Sequence, residues 1–232
     1  MRTIGIIGGM SWESTATYYR LINETVKNRL GGFHSARMLL HSVDFEQYER
    51  LMRAGDWETI GSELTEIAKS LACAGADFFL IATNTMHKVA EKVEAEVDIP
   101  LLHIIDPVAE AIIDQGLNEV GLLGTLTTIE DSFFRNRLKN HYDIKLIVPD
   151  RQDRLVMHEI IFEELCLGKI LDQSRQKLQK IIQKMADGGA QGIILGCTEI
   201  ILLIGPGDTE VPLFDTTELH ACKAVEWALR EQ

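Results

Sequence analysis

The chain has 232 residues, of which 46% are hydrophobic and 25% charged, and its 35 acidic against 23 basic side chains give a net charge of −12. That length supports a sizeable core, as one large domain or two small ones, and the composition is that of a soluble globular protein. The acidic balance and the lack of a basic stripe exclude nucleic acid as a partner, and any acidic ligand must be drawn by a local site.

Met1-Arg2-Thr3 leads into an apolar run too short and too rich in glycine for a signal peptide. No stretch approaches a membrane span; the most apolar one, Ile193 to Ile204, is broken by Thr198 and Glu199. The four cysteines, Cys73, Cys166, Cys197 and Cys222, show no CxxC spacing and read as reduced thiols of a cytoplasmic protein.

In chain order, Thr3 to Ile7 reads as a short buried strand ending in Gly8-Gly9-Met10-Ser11. A helix follows from Ser11 or Trp12 to Leu30, with Ser11 and Ser14 as candidate caps and Gly31-Gly32 as its stop. Ala36 to Val43 is a second strand. Trp57, Ile60, Leu64, Ile67 and Leu71 keep helical spacing up to Gly75. Phe78 to Ala82 is a third strand, Thr85 to Val97 a helix, and Ile99 to His103 a fourth strand. The pattern then restarts. Glu119 to Thr125 mirrors Thr3 to Gly9, and a helix begins at Thr127-Thr128. Lys145 to Val148 is a strand, Asp153 to Leu167 and Asp172 to Asp187 are helices, and Gly192 to Leu195 is a strand. Val211 to Asp215 mirrors Ile99 to His103, and an amphipathic helix runs from Thr217 to about Arg230.

The matched strands are offset by 116, 114 and 112 residues. This order predicts an α/β protein of two similar lobes, each a small parallel sheet flanked by helices. Residues 1–105, completed by 207–232, form the first lobe and 106–206 the second. A pseudo-twofold axis would relate them, with the site in the cleft between them.

Parallel sheets carry their ligand chemistry at the carboxyl ends of the strands. Aligning Gly75-Ala76 with Gly189-Ala190 places Thr83 on Cys197, Asn84 on Thr198 and Thr85 on Glu199. Cys197 falls at the expected start of a helix, where free N–H groups and the dipole favour a thiolate, although a neighbouring Glu199 opposes it. Thr83 is a far weaker acid than a thiol and cannot be an equivalent base unaided. Asn84, Thr85, Thr125, Thr127, Thr128 and Thr198 add small neutral donors suited to a carboxylate. His87, four residues after Thr83, falls in a first helical turn. His103, Asp106 and Asp215 lie at or just past strand ends and are weaker candidates, and Arg50, Arg53, Lys88 and Lys169 are candidates to hold a second carboxylate. There is no GxGxxG, P-loop or HExxH pattern, and no Cys/His cluster that suggests a metal.

Gly8-Gly9-Met10-Ser11-Trp12-Glu13-Ser14-Thr15, Thr83-Asn84-Thr85-Met86-His87, Leu123-Gly124-Thr125 with Thr127-Thr128, and Gly196-Cys197-Thr198-Glu199 together resemble the aspartate/glutamate racemase family. The likeness runs over nearly the whole chain, and the last motif is the most specific. The family has Cys-Asn-Thr in its first lobe and Gly-Cys-Thr-Glu in its second, the two cysteines being the acid–base pair. Thr83 departs from it, as in a bacterial subgroup described as L-aspartate/glutamate-specific. The resemblance implies a two-lobed α/β fold, no cofactor or metal, an amino-acid substrate, no membrane partner and a homodimer. It implies Cys197 and Thr83 as catalytic groups. Met10, Ser11, Asn84, Thr85, Thr125, Thr127, Thr128, Thr198 and Glu199 would bind substrate, with His87 behind them. A one-cysteine decarboxylase, a racemase of another substrate and a two-lobed binding protein without catalysis remain as alternatives.

Overall fold

The computed structural model describes residues 1–230 and divides into two compact units, Met1–Ile104 with the segment from His220 onward, and Ile105–Leu219. Among the described residues no helix is long and apolar enough to cross a membrane.

The first unit contains β1 (Ile4–Gly8), α1 (Trp12–Leu30), β2 (Met38–Ser42), α2 (Phe45–Ala54), α3 (Trp57–Cys73), β3 (Phe78–Ile81) and α4 (Ala90–Glu96). Its sheet is parallel, in the order β2-β1-β3, and a parallel bridge from Phe79 to Leu101 adds a fourth line of chain. Side chains alternate across the sheet. Ile7, Phe79 and Ile81 pack on Tyr48, Ile60 and Leu64, while Ile4, Ile6, Phe78 and Leu80 pack on Tyr18, Ile22 and Val26. With both faces covered, β1 and β3 read as unbroken apolar runs rather than alternating ones, whereas the edge strand β2 is exposed from Leu40 to Ser42.

The second unit contains α5 (Ile105–Asp114), β4 (Glu119–Leu123), α6 (Leu126–Glu130), α7 (Ser132–Tyr142), β5 (Lys145–Ile147), α8 (Arg151–Glu159), α9 (Asp172–Asp187), β6 (Ile193–Leu195) and β7 (Leu213–Asp215). It also holds the start of α10 (Thr216–Leu229), whose later turns belong to the first unit. The parallel order is β5-β4-β6-β7.

The duplication is legible in the register. Gly5 pairs with Phe79 and Phe79 with Leu101; Gly121 pairs with Ile193 and Ile193 with Leu213. These are the same positions under the three sequence offsets. The glycine recurs for want of room. A Cβ at Gly5 would stand 3.1 Å from the Phe79 Cβ, and one at Gly121 only 2.6 Å from Ile193 Cδ1.

Several expectations need correction. The segment 207–219 stays with the second unit, because Leu213–Asp215 pairs with β6 and only the chain from His220 joins the first. Ile99 to His103 makes one bridge, at Leu101, rather than a strand, since Pro100 has no N–H to donate on one side and α5 begins at Ile105 on the other. The helix expected from Thr85 begins as a 3-10 turn, Thr85–Val89. The long helix expected from Asp153 is α8, then a π-helical segment Ile160–Glu164 and a 3-10 turn Leu165–Leu167. Two helices, α2 and α5, were not expected at all.

Candidate active site

The site residues fall into two sets, one in each unit, both at carboxyl ends of strands. In the first unit the turn after β1 is clamped from α1. The Gly9 N–H donates to Thr15 Oγ1 at 2.9 Å, and the Thr15 hydroxyl donates to the Ser11 carbonyl at 3.0 Å. Ser11 caps α1 by accepting from the Ser14 N–H, and it sits at φ 109°, a left-handed conformation rare for a side-chain-bearing residue. Such strain costs about 1–3 kcal/mol and persists where surrounding bonds over-determine it. Met10 is buried and Ser11 partly exposed.

After β3 the Ala82 N–H donates to the Ile7 carbonyl at 2.9 Å, and the chain turns at Thr83. Thr83 and Thr85 are partly exposed, and Asn84 is buried. His87 is buried, with Nδ1 2.8 Å from the Thr83 carbonyl oxygen and Nε2 3.1 Å from the Ile104 nitrogen. It stacks edge-on against His103, with ring centroids 4.5 Å apart. His103 is therefore part of a buried histidine stack that also includes His220.

The second unit repeats the construction. The Gly196 N–H donates to the Leu123 carbonyl at 2.7 Å, the counterpart of the Ala82–Ile7 bond. Two residues beyond the pair Leu123↔Leu195, past the ends of the adjacent strands β4 and β6, come Thr125 and Cys197. Thr125 caps α6 by accepting from the Thr128 N–H, and the two hydroxyls lie 3.2 Å apart. Thr127 is exposed. Thr128 is buried, and its methyl lies 3.5 Å from where a Gly196 Cβ would stand, so it supports the Cys197 turn from beneath.

The helix expected after Cys197 is a single 3-10 turn, Ile200–Leu202, because Gly205-Pro206 follows at once. A turn that short supplies little dipole to favour a thiolate. The thiol instead donates to Glu199 Oε2 at 2.9 Å, and the Thr198 hydroxyl donates to the same oxygen at 2.8 Å. Burial pushes the Cys197 thiol well above its ordinary value, and the Glu199 charge and hydrogen bond push the same way. The expectation of a low-pKa thiol is thus reversed, and Glu199 is engaged with the sulfur.

Of the weaker candidates, Asp106 is held by Arg137 in a bidentate pair at 2.6 and 2.7 Å joining α5 to α7. Asp215 pairs in register with Leu195, and burial raises its carboxyl although it accepts from the Thr217 N–H at 2.8 Å. Arg50 and Arg53 are exposed on α2 beside Glu46 and Glu49. Lys88 lies over the Trp57 ring at 4.3 Å, and Lys169 reaches the Glu163 carbonyl. Among the described residues no group of three or more His, Cys, Asp or Glu side chains is placed to hold a metal ion. Sequence reading assigns no role to Thr15 or Ile104. The first has a signal, a hydroxyl four residues after Ser11; the second is an apolar residue acting through its N–H and has none.

A family model described as Asp/Glu/Hydantoin racemase matches residues 7–224. A crystal structure of a putative Asp/Glu racemase from Yersinia pestis is similar at 50% identity and TM-score 0.96, covering 99% of this chain and 100% of that one. An aspartate racemase homologue from Pyrococcus horikoshii OT3 is similar at 35% identity and TM-score 0.89, with the same coverage. The broad specificity amino-acid racemase RacX of Bacillus subtilis (strain 168) is 23% identical over 232 residues, 99% of each chain. With a model of the family matched over nearly its whole length, the chain belongs to the Asp/Glu/hydantoin racemase family of isomerases.

Proposed function

We propose that the protein interconverts the L and D forms of aspartate or glutamate without a cofactor, Cys197 working on one face of the α-carbon and Thr83 on the other. The observation that carries this reading is the equivalence of the two turns. Thr83 and Cys197 follow buried strands at matching register, each behind the same backbone hydrogen bond, and only one bears a thiol. Family membership supplies the reaction class.

The α-proton of an amino acid is weakly acidic, so the enediolate-like carboxylate formed on its loss needs fixed donors in a site that excludes water. Met10, Ser11, Asn84, Thr85, Thr125, Thr127 and Thr198 serve to hold the α-carboxylate and amino group, and Thr128 supports the turn. Cys197 rests as a thiol hydrogen-bonded to Glu199. It is ready to deliver a proton, and acts as a base once Glu199 or solvent has taken its own. Thr83 is the weaker partner and relays a solvent proton. The L form presents its α-proton to Cys197.

The test is to incubate the protein, dialysed against a chelator, with a panel of L- and D-amino acids in heavy water. We expect deuterium at the α-position, fastest with aspartate or glutamate, and accumulation of the other enantiomer. Carbon dioxide release would replace the reading with a decarboxylase. Binding without exchange would replace it with a binding protein. Faster turnover of neutral amino acids would move the substrate towards the breadth named for the Bacillus relative. The proposal includes a cytoplasmic homodimer. Its candidate seat is the exposed apolar surface of Trp12, Tyr19 and Leu40, 69, 58 and 49% exposed. A monomer in sedimentation equilibrium would overturn that part.

A further inference from the structure

We infer that His87 is a positioning residue held in one neutral tautomer, and that its Nδ1–H fixes the peptide of Thr83 and thereby the aim of the Thr83 hydroxyl. Two hydrogen bonds decide the tautomer. The Ile104 backbone N–H is a donor only, so His87 Nε2, 3.1 Å away, must accept and carries no proton. The Thr83 carbonyl is an acceptor only, so Nδ1, 2.8 Å away, must carry the hydrogen and donate. A ring protonated on both nitrogens cannot make the Ile104 bond. His87 is therefore no proton relay in this arrangement, because both nitrogens are committed to backbone.

The surroundings hold the ring in place. His87 is 3% exposed and edge-on to His103, and His220 lies beyond it at 5.9 Å between centroids. His220 has the opposite tautomer by the same logic. Its Nε2 lies 2.8 Å from the Leu102 carbonyl and must donate, leaving Nδ1 to accept from the Tyr18 hydroxyl at 2.8 Å. Two histidines thus grip Leu102 and Ile104 on either side of His103, and one of them extends the grip to Thr83. In the other copy the residue four beyond Cys197 is Ile201, 38% exposed, and a carboxylate from Glu199 steadies the thiol instead. The two catalytic turns are therefore oriented by different devices, a ring acting on backbone at Thr83 and a side chain acting on sulfur at Cys197.

This inference rests on the proposed function, and the experiment separates the two. An asparagine amide nitrogen takes the place of Nδ1, and a glutamine amide oxygen the place of Nε2. His87→Asn keeps the bond to Thr83 and gives up that to Ile104; His87→Gln does the reverse. We expect both variants to fold, as judged by circular dichroism, with similar losses of thermal stability. We expect His87→Asn to retain α-proton exchange of both enantiomers within about threefold of wild type. In His87→Gln, exchange of the D form and net racemisation should fall about 10- to 100-fold, while deuterium wash-in to the L form at Cys197 is largely kept. Equal activity in the two variants, or parallel loss for both enantiomers, overturns the positioning role. If one variant fails to fold, the other against wild type still decides: full D-form exchange in His87→Gln, or its selective loss in His87→Asn, overturns the inference. Absence of exchange in the wild type would instead remove the proposed function.

Discussion

A methyl group added at Gly196 should damage both the fold and the aim of Cys197. A Cβ there would lie 2.9 Å from Leu122 Cδ1, 2.9 Å from the Leu123 carbonyl oxygen and 3.5 Å from Thr128 Cγ2, where ordinary contact begins at 3.4 Å. The leucine methyl can rotate away. The carbonyl oxygen cannot, because it belongs to β4 and already accepts the Gly196 N–H at 2.7 Å. The strands must part by about 0.5 Å, and Cys197 moves with its neighbour. Overpacking of this kind costs about 1–3 kcal/mol. For a chain of this size that lowers the melting temperature by roughly 2–12 °C. If a displacement of 1 Å costs on the order of 100-fold in rate, half of that costs on the order of tenfold. Gly124→Ala is the internal control, since its Cβ would meet Thr128 and the Gly196 carbonyl at ordinary separations of 3.4 and 3.5 Å. Thermal unfolding and deuterium exchange measured side by side on both variants check the argument. It fails if Gly196→Ala melts within about 1 °C of Gly124→Ala and exchanges at the same rate.

Cys197→Ala should lower exchange and racemisation by about two to four orders of magnitude while leaving the far-ultraviolet spectrum unchanged; near-normal exchange would remove Cys197 from the mechanism. Glu199→Gln removes the charge that helps hold the thiol up and replaces one carboxylate oxygen with an N–H donor able to stabilise a thiolate, so alkylation of Cys197 by iodoacetamide should begin its rise at lower pH than in wild type. An unmoved or upward-moved profile would contradict that electrostatic assignment. Thr217 is 1% exposed and its hydroxyl is buried without a hydrogen-bond partner, so Thr217→Val should leave stability unchanged or raise it by up to about 1–3 kcal/mol in urea unfolding. A clear loss would mean that the hydroxyl is satisfied in solution.

The strands and their order of repetition were legible because buried parallel strands are short apolar runs closed by small residues. The offsets carried through to register because Gly5 and Gly121 answer the same crowding. What lay outside reach was set by tertiary partners. In α2, Phe45, Tyr48, Leu51 and Met52 do keep helical spacing, but over only ten residues between the second strand and α3, and sequence reading passes over it. In α5 the Pro107 at the third position suggests a break, although a first turn tolerates it. The π-helical segment at Ile160–Glu164 has no marker in the residues. At the site, the motifs located Thr83 and Cys197, and spacing suggested His87. The state of the thiol was missed because Gly205-Pro206 truncates the following helix and leaves burial and Glu199 to decide. The anchoring of His87 was missed because its second partner is a backbone N–H 17 residues away.

The discontinuity of the first unit bears on how the chain can be made. Ala221, Ala224, Val225 and Ala228 fill the same cluster as Ile4, Ile6, Tyr18 and Phe78, and the Arg2 N–H donates to the Ala228 carbonyl at 2.8 Å. A ribosome delivers Ile4 and Phe78 early and the covering helix last, with the whole second unit in between. At about 5–20 residues per second the wait is on the order of ten seconds. Through that interval α1 alone covers that face of the nascent β1–β3 sheet, while the second unit emerges as an unbroken stretch and can close by itself. The unit built from the amino end is thus completed only after the unit that follows it, and loss of Ala221, Ala224, Val225 or Ala228 is felt in that first unit.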